Sequence, residues 1–251
     1  MAASSPTSTA VYVYGVVRAD ELPAVAAEGV AGTPVELLER DSLAALVSRL
    51  PGGDFRVKRR DLQRHLAVLE EAFGEATIVP CPFGTVVRSD DDVESVLLGE
   101  RRDELLAAIK RLEGKVQLNV KATYDEEELL RELLQLNPEL ARLREATKSL
   151  GDAGYYEQIR LGELIAAVVA ERGETDSRRL LDRLAGSAED AVVEPAGEYV
   201  ALKASFLVNR KKLRKFDDAL DRLAGAEQPV MRIEVIGPLP PTAFAAAAAG
   251  T

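Results

Sequence analysis

Runs of apolar residues along this chain follow two periods, and the periods assign most of its elements. Val11 to Val17 (VYVYGVV) is β-branched, aromatic and apolar at successive positions, the pattern of an inner strand covered on both faces. The segment from Val35 to Leu50 fits neither period cleanly and reads as a strand running into a helical turn, followed by a loop at Pro51, Gly52 and Gly53. Between Arg59 and Phe73, Leu62, Leu66, Leu69 and Phe73 recur at helical spacing, which predicts a helix with those four inward and Gly74 as its stop. TIVPCPFGTVV (Thr77 to Val87) reads as a strand whose two prolines and glycine put it at an edge or in a sharp bend. Ser89 and Asp92 form a capping box for a helix that breaks near Gly99 and runs to Glu113. After Gly114, strict alternation places Val116, Leu118, Val120, Ala122 and Tyr124 on the buried face of a strand, with Gln117, Asn119, Lys121 and Thr123 opposite.

The order β, β, α, β, α, β up to Tyr124 predicts an antiparallel sheet covered on one face by two helices. From Asp125 helices take over: leucine-rich stretches before and after Pro138, a longer helix from Tyr155 to about Arg172, and a further turn or two through Leu180, Leu181 and Leu184. A hairpin turning at Pro195, Ala196 and Gly197 follows, with Val200, Leu202, Ala204, Phe206 and Val208 inward. Then come an amphipathic helix from Arg210 to Leu223, stopped by Gly225, with Leu213, Phe216, Leu220 and Leu223 inward, and a strand VMRIEVIG. GPLPPTAF has too few backbone donors for a sheet and is expected to leave the core as an extended tail, with Ala245 to Ala249 frayed. The fold class is therefore α+β in two domains, 11–124 and 125–238, between a disordered N-terminus (1–10) and a C-terminal tail (239–251).

Composition narrows the chemistry. With 251 residues and 47 % apolar residues the chain can bury a core, and its net charge of −10 argues against nucleic acid and anionic lipid as partners. One His (His65) and one Cys (Cys81) are too few for a zinc site or an internal disulfide. The first nine residues lack a secretory pattern and no stretch suits a bilayer span, so a cytoplasmic protein is expected. Cys81 and His65, on neighbouring elements, are the one candidate thiol–base pair, without a third group to orient them; as packing residues they need no such group. The acidic runs Asp90 to Asp92 and Glu126 to Glu128 sit where helices begin and suit the helix dipole better than a cation. The basic run Arg210, Lys211, Lys212, Arg214 and Lys215 has no aromatic platform among it and reads as a solvated helix face. Neither a Gly-rich phosphate loop nor a nucleophile elbow is present, so no catalytic residue, cofactor or metal is expected.

Five strings carry a resemblance in this order: VYVYGVV; the His65 helix followed by IVPCPFGTVV; LEGKVQLNVKATYD; KASFLVNRKKLRKFDDALDRLA; and VIGPLPPTAF. Together, from about Val11 to Phe244, they resemble the gas vesicle protein F/L family. The resemblance implies two α+β domains, the first a modified ferredoxin-like unit. It implies a non-enzymatic assembly factor or minor component of gas vesicles within the cytoplasm, contacting the small hydrophobic shell protein and other accessory proteins. Pro80, Phe83, Gly84 and Thr85 match the family's Pro and Phe-Gly-Thr pattern, and Phe206, Gly237, Pro238, Pro241 and Phe244 its C-terminal pattern; these nine are the candidate protein-contact residues. Pro82 departs from the family's usual Arg, and Leu239 from its common aromatic. The sheet edge near PCPFGTVV and the tail are the candidate contact surfaces, through strand addition or apolar docking. The competing reading is a small-molecule-sensing α+β protein with its ligand at a sheet or domain interface.

Overall fold

β1 (Val11–Arg18) is the strand on which the first sheet is built, and every side chain from Val11 to Val17 is buried. The computed structural model describes residues 10–51, 58–150 and 155–245; the expected disorder of residues 1–9, the loop at Gly52 and Gly53, and the fraying of Ala246 to Ala249 lie outside them. β2 (Glu36–Arg40) and β3 (Leu43–Arg49) form an antiparallel hairpin, and β3 pairs antiparallel with β1. The expected helical turn in this segment is absent because the chain reverses through Asp41 and Ser42: Arg40 pairs with Leu43, and Asp41 takes φ 53°, a left-handed conformation that Asp tolerates. The register of β1 on β3 shifts between Val13 and Gly15, so Tyr14 sits in a bulge and shares one core with Tyr12.

α1 (Arg59–Glu75) covers the Tyr12–Tyr14 face of this sheet, with Leu69 inward as the spacing predicts but the helix rotated so that Leu62 and Leu66 are not. Asp61, His65, Val68, Leu69 and Ala72 are its buried residues, whereas Leu62 and Leu66 stay 40 % and 42 % exposed. Gly74 lies inside the helix, which ends at Glu75 with Ala76 as its extended C-cap. β4 (Val79–Pro80) and β5 (Val86–Val87) are two short pairings on the free side of β1, so the predicted strand is both at the edge and interrupted. Ser89 caps α2 (Asp90–Asp92), accepting the Asp92 amide at 3.2 Å; a π-helical stretch, Val93–Glu100, then leads past Gly99 to α3 (Arg102–Leu112). Leu105, Ile109 and Leu112 are buried, yet they are not part of the α1 core, and α3 packs on β1 and β4. The helices therefore lie on opposite faces of the sheet, which is why both faces of β1 are dry.

β6 (Lys115–Tyr124), expected to complete the first sheet, instead lies inside a second sheet of order β7–β8–β6–β9 formed with β7 (Asp190–Val193), β8 (Val200–Asn209) and β9 (Met231–Leu239). Alternation shows that a strand is half-buried but not which strand it joins. Two compact units result, one running to Gln117 and resuming at Pro238, the other spanning Leu118–Gly237. In the second, α4 (Glu126–Leu136), α5 (Pro138–Leu150), α6 (Tyr155–Ala185) and α7 (Leu213–Glu227) pack in succession, α6 against α5, α7 and β8. The expected break after Arg172 does not occur, because α6 continues for 31 residues, and α7 runs past Gly225.

The tail is the largest correction. β9 continues through Pro238, tolerable on an edge strand, and the chain then folds back into the first unit instead of leaving the core. Pro240 and Pro241 are buried, and a short turn at Thr242–Phe244 leaves Phe244 and Ala245 5 % and 3 % exposed. Gln117, assigned by alternation to the open face of β6, is buried and accepts the Ala243 amide at 2.9 Å.

Within the second unit, Asp176 ties the helices to the sheet. Its carboxylate accepts from Tyr124 Oη at 2.7 Å, Arg172 Nε at 2.8 Å and Arg179 Nη2 at 2.8 Å, while Arg172 also reaches Glu132 and Arg179 reaches Glu227. Burial alone would push its pKa up; the donors from Arg179, Tyr124 and Arg172 outweigh that and hold it below the ordinary carboxylate value. Replacing it with Ala strands these donors and is expected to remove about 2–4 kcal/mol of unfolding free energy, read by urea denaturation. Since the folded carboxylate is the more acidic, its contribution is complete above the unfolded pKa and fades as the pH falls below it; the variant's deficit should shrink in acid.

Candidate interaction surface

The Phe-Gly-Thr string is a tight turn. Thr85 donates from both its amide (3.1 Å) and its hydroxyl (2.7 Å) to the Pro82 carbonyl, and Gly84, third in the turn, has φ +92°, which a side chain would strain. Cys81 donates its amide to the Tyr14 carbonyl and Val13 donates to the Thr85 carbonyl, so β1 grips the loop on both sides while Pro82, Phe83 and Gly84 project outward.

A buried hydroxyl fixes the projecting part. Tyr12 Oη accepts the Gly84 amide at 2.9 Å and lies 3.0 Å from His65 Nδ1, so a strand, a turn and α1 meet at one oxygen. Burial raises the Tyr12 pKa, so the hydroxyl keeps its proton, and burial lowers that of His65 to about 4, so the imidazole is neutral at pH 7. Phe83 packs edge-on against His65 (5.5 Å between centroids) and tilted against Tyr12 (6.5 Å), yet remains 37 % exposed.

Around Phe83 a hollow of about 240 Å³ is lined by Leu62 and Leu66 of α1, Pro80, Pro82 and, from the returning chain, Ala245. This is an apolar patch held on rigid elements. Of the four residues that the spacing assigned to the core, Leu62 and Leu66 are its floor, whereas Leu69 is buried as expected and Phe73 packs part-buried against the core. The signal was there in a weaker form: Asp61, His65, Val68 and Ala72 make a second stripe at the same spacing beside Leu62, Leu66 and Phe73, and one helix face cannot fully bury both.

Of the nine candidate residues, Pro80, Phe83, Gly84 and Thr85 come together here. Pro241 and Phe244 are buried in the same unit, Gly237 (φ +146°) and Pro238 belong to exposed β9, and Phe206 is wholly buried in the second unit against Phe216 at 5.4 Å. Phe206 and Phe244 therefore serve packing and present almost no surface. Cys81 also borders the hollow, but burial pushes its thiol up to about 12.

Tyr12→Phe should cost about 1–3 kcal/mol in denaturant unfolding, because the Gly84 amide loses its acceptor. His65 is the chain's single histidine, so its ring protons are assignable in an NMR titration and should shift near pH 4 instead of near the ordinary 6.5. Between those values the unfolded chain binds a proton that the folded chain refuses, so stability should fall as pH is lowered through that window, and less so in His65→Gln.

Comparison with known proteins agrees with this architecture. Residues 10–246 match the family model described as "Gas vesicle synthesis protein GvpL/GvpF". Gas vesicle protein F of Streptomyces sp. (strain CB03234) is 38 % identical over 236 residues, covering 93 % of this chain and 98 % of that protein. Gas vesicle protein L of the same strain is 30 % identical over 257 residues, covering 93 % and 92 %. The crystal structure of the gas vesicle protein GvpF from Anabaena sp. PCC7120 superposes with a TM-score of 0.79 at 25 % identity, covering 95 % of this chain and 98 % of that one. That of GvpF from Microcystis aeruginosa, at 23 % identity and a TM-score of 0.71, shares the fold. On a family match over nearly its whole length and relatives of the same name along it, the chain belongs to the gas vesicle synthesis protein GvpL/GvpF family.

Proposed function

We propose that this protein acts in gas vesicle formation as a binding protein, an assembly factor or minor vesicle component that contacts the small hydrophobic shell protein through the patch of Leu62, Leu66, Pro82 and Phe83. The observation that carries this reading is the patch itself: large apolar side chains open to solvent, Pro82 and Phe83 on a turn tied to Tyr12 through Gly84, and Leu62 and Leu66 beside them on α1. A shell subunit with a strongly apolar face aggregates before assembly, and a rigid apolar surface beside a sheet edge suits its temporary cover. β5 adds to that edge, with Val86 44 % exposed. The work would be done in the cytoplasm, at the growing vesicle, together with other accessory proteins.

The test is Phe83→Asp and the pair Leu62→Ser, Leu66→Ser. Phe83, Leu62 and Leu66 are each more than half buried, so both variants should melt lower but, by circular dichroism, remain folded; on the folded variants affinity for the purified shell protein should fall tenfold or more, and vesicle yield should drop. Unchanged binding in both variants would rule the patch out.

A second reading, effector sensing, is favoured by a groove of about 1120 Å³ in the second unit, between Ile165, Val169 and Gly173 of α6 and Val193, Tyr199 and Val200. A panel of apolar metabolites should then raise the melting temperature by mass action. A Cβ at Gly173 meets nothing within 4 Å, so Gly173→Phe should fold and cancel that rise.

A further inference from the structure

β9 is an open end of the second sheet, and its residues alternate in character. Met231, Ile233 and Val235 share one face, Met231 buried, Ile233 half-buried and Val235 44 % exposed. Arg232, Glu234 and Ile236 share the other; Arg232 Nη2 lies 3.2 Å from Glu234 Oε1, the two side chains are 76 % and 50 % exposed, and Ile236 is 64 % exposed. An edge strand carrying apolar residues is a template for another strand unless something blocks it.

We infer that this edge pairs with β9 of a second copy of the chain, antiparallel, about a two-fold axis at Ile233. Register decides the axis. A two-fold axis that keeps the sheet's faces aligned must pass through a residue, and each choice fixes every opposing pair. Centred on Ile233, Arg232 opposes Glu234 of the second copy, Glu234 opposes its Arg232, Met231 opposes Val235, and Ile233 meets itself. Centring on Arg232 or Glu234 sets a like charge against itself, which is destabilising. The apolar face thus continues from one sheet to the next while the charged face is complementary at both of its pairs. Pro238, without an amide donor, limits the pairing to the segment before it. So short a contact falls below the roughly 800 Å² per partner of stable complexes, and the association is weak and concentration-dependent.

The proposal is independent of the shell-protein patch, which lies in the other unit, and its test needs no partner protein. Sedimentation velocity of the full chain across the micromolar range should show a reversible monomer–dimer equilibrium. Arg232→Glu alone and Glu234→Arg alone each turn both charged pairs repulsive and should weaken self-association about tenfold or more. Equimolar mixing of these two variants makes every cross-pair attractive again and should restore a dimer, as should the chain carrying both substitutions. Circular dichroism and melting temperature of each variant establish that it is folded. A wild-type chain that stays monomeric throughout, single variants that associate as the wild type does, or a mixture that fails to recover would each overturn the pairing, the last even if both single variants are monomeric.

Discussion

One oxygen, the Tyr12 hydroxyl, sets the conformation of the exposed loop of the first unit. It is buried, so it must be satisfied, and the partners available are the Gly84 amide and the His65 ring. Satisfying it draws the Pro82–Thr85 turn onto β1 and fixes the rotation of α1 so that His65 points inward. With His65 inward, Leu62 and Leu66, three residues before and one residue after it, rotate toward solvent. A buried polar contact thereby exposes apolar surface. Tyr14 repeats the device one step along the strand: its hydroxyl accepts the Val30 amide at 2.7 Å and lies 2.9 Å from Ser48 Oγ, tying the loop before β2 and strand β3 into the same core.

That coupling explains what was legible in the sequence and what was not. Inner strand β1, the half-buried strand β6, the Ser89 cap and the inward face of α7 follow from local period and capping chemistry, and the structure has them. The hairpin at Asp41–Ser42 was missed because a two-residue reversal leaves no loop to see and its flanks, apolar on both sides, mimic a helix. The face of α1 was missed for a different reason: three leucines and a phenylalanine weigh more in any periodicity than one His and one Asp, although the polar pair has the stronger requirement once buried. Asp61 meets it by accepting the Lys58 amide at 2.9 Å and the Ala31 amide at 3.2 Å.

Non-local partnership was the other blind spot. Nothing in KVQLNVKATY tells which sheet it joins, and nothing in GPLPPTAF tells that β9 runs on through Pro238 before Pro240 and Pro241 turn the chain back so that Phe244 is buried. Of the candidate contact residues, the string Pro80 to Thr85, named by resemblance, does come together in one place, and Leu62 and Leu66 beside it were visible but assigned to the interior. Phe206, a motif residue that alternation also placed inward, lies in the core of the second unit against Phe216.

Burial governs the protonation of the chain's one thiol and one imidazole. A thiol–imidazole catalyst works by lowering the pKa of the sulfur and letting the ring carry a proton near neutral pH. Burial here moves both groups the wrong way, Cys81 up to about 12 and His65 down to about 4. At pH 7 the sulfur holds its proton and the ring does not accept one, so no ion pair forms and the thiol is a poor nucleophile. The ring's energetic role is to give Tyr12 a partner and Phe83 a surface to lean on, which places the one histidine in the service of the exposed patch. A group neutral in both directions across the physiological range is suited to holding a shape, and the shape it holds is the apolar surface proposed for the contact.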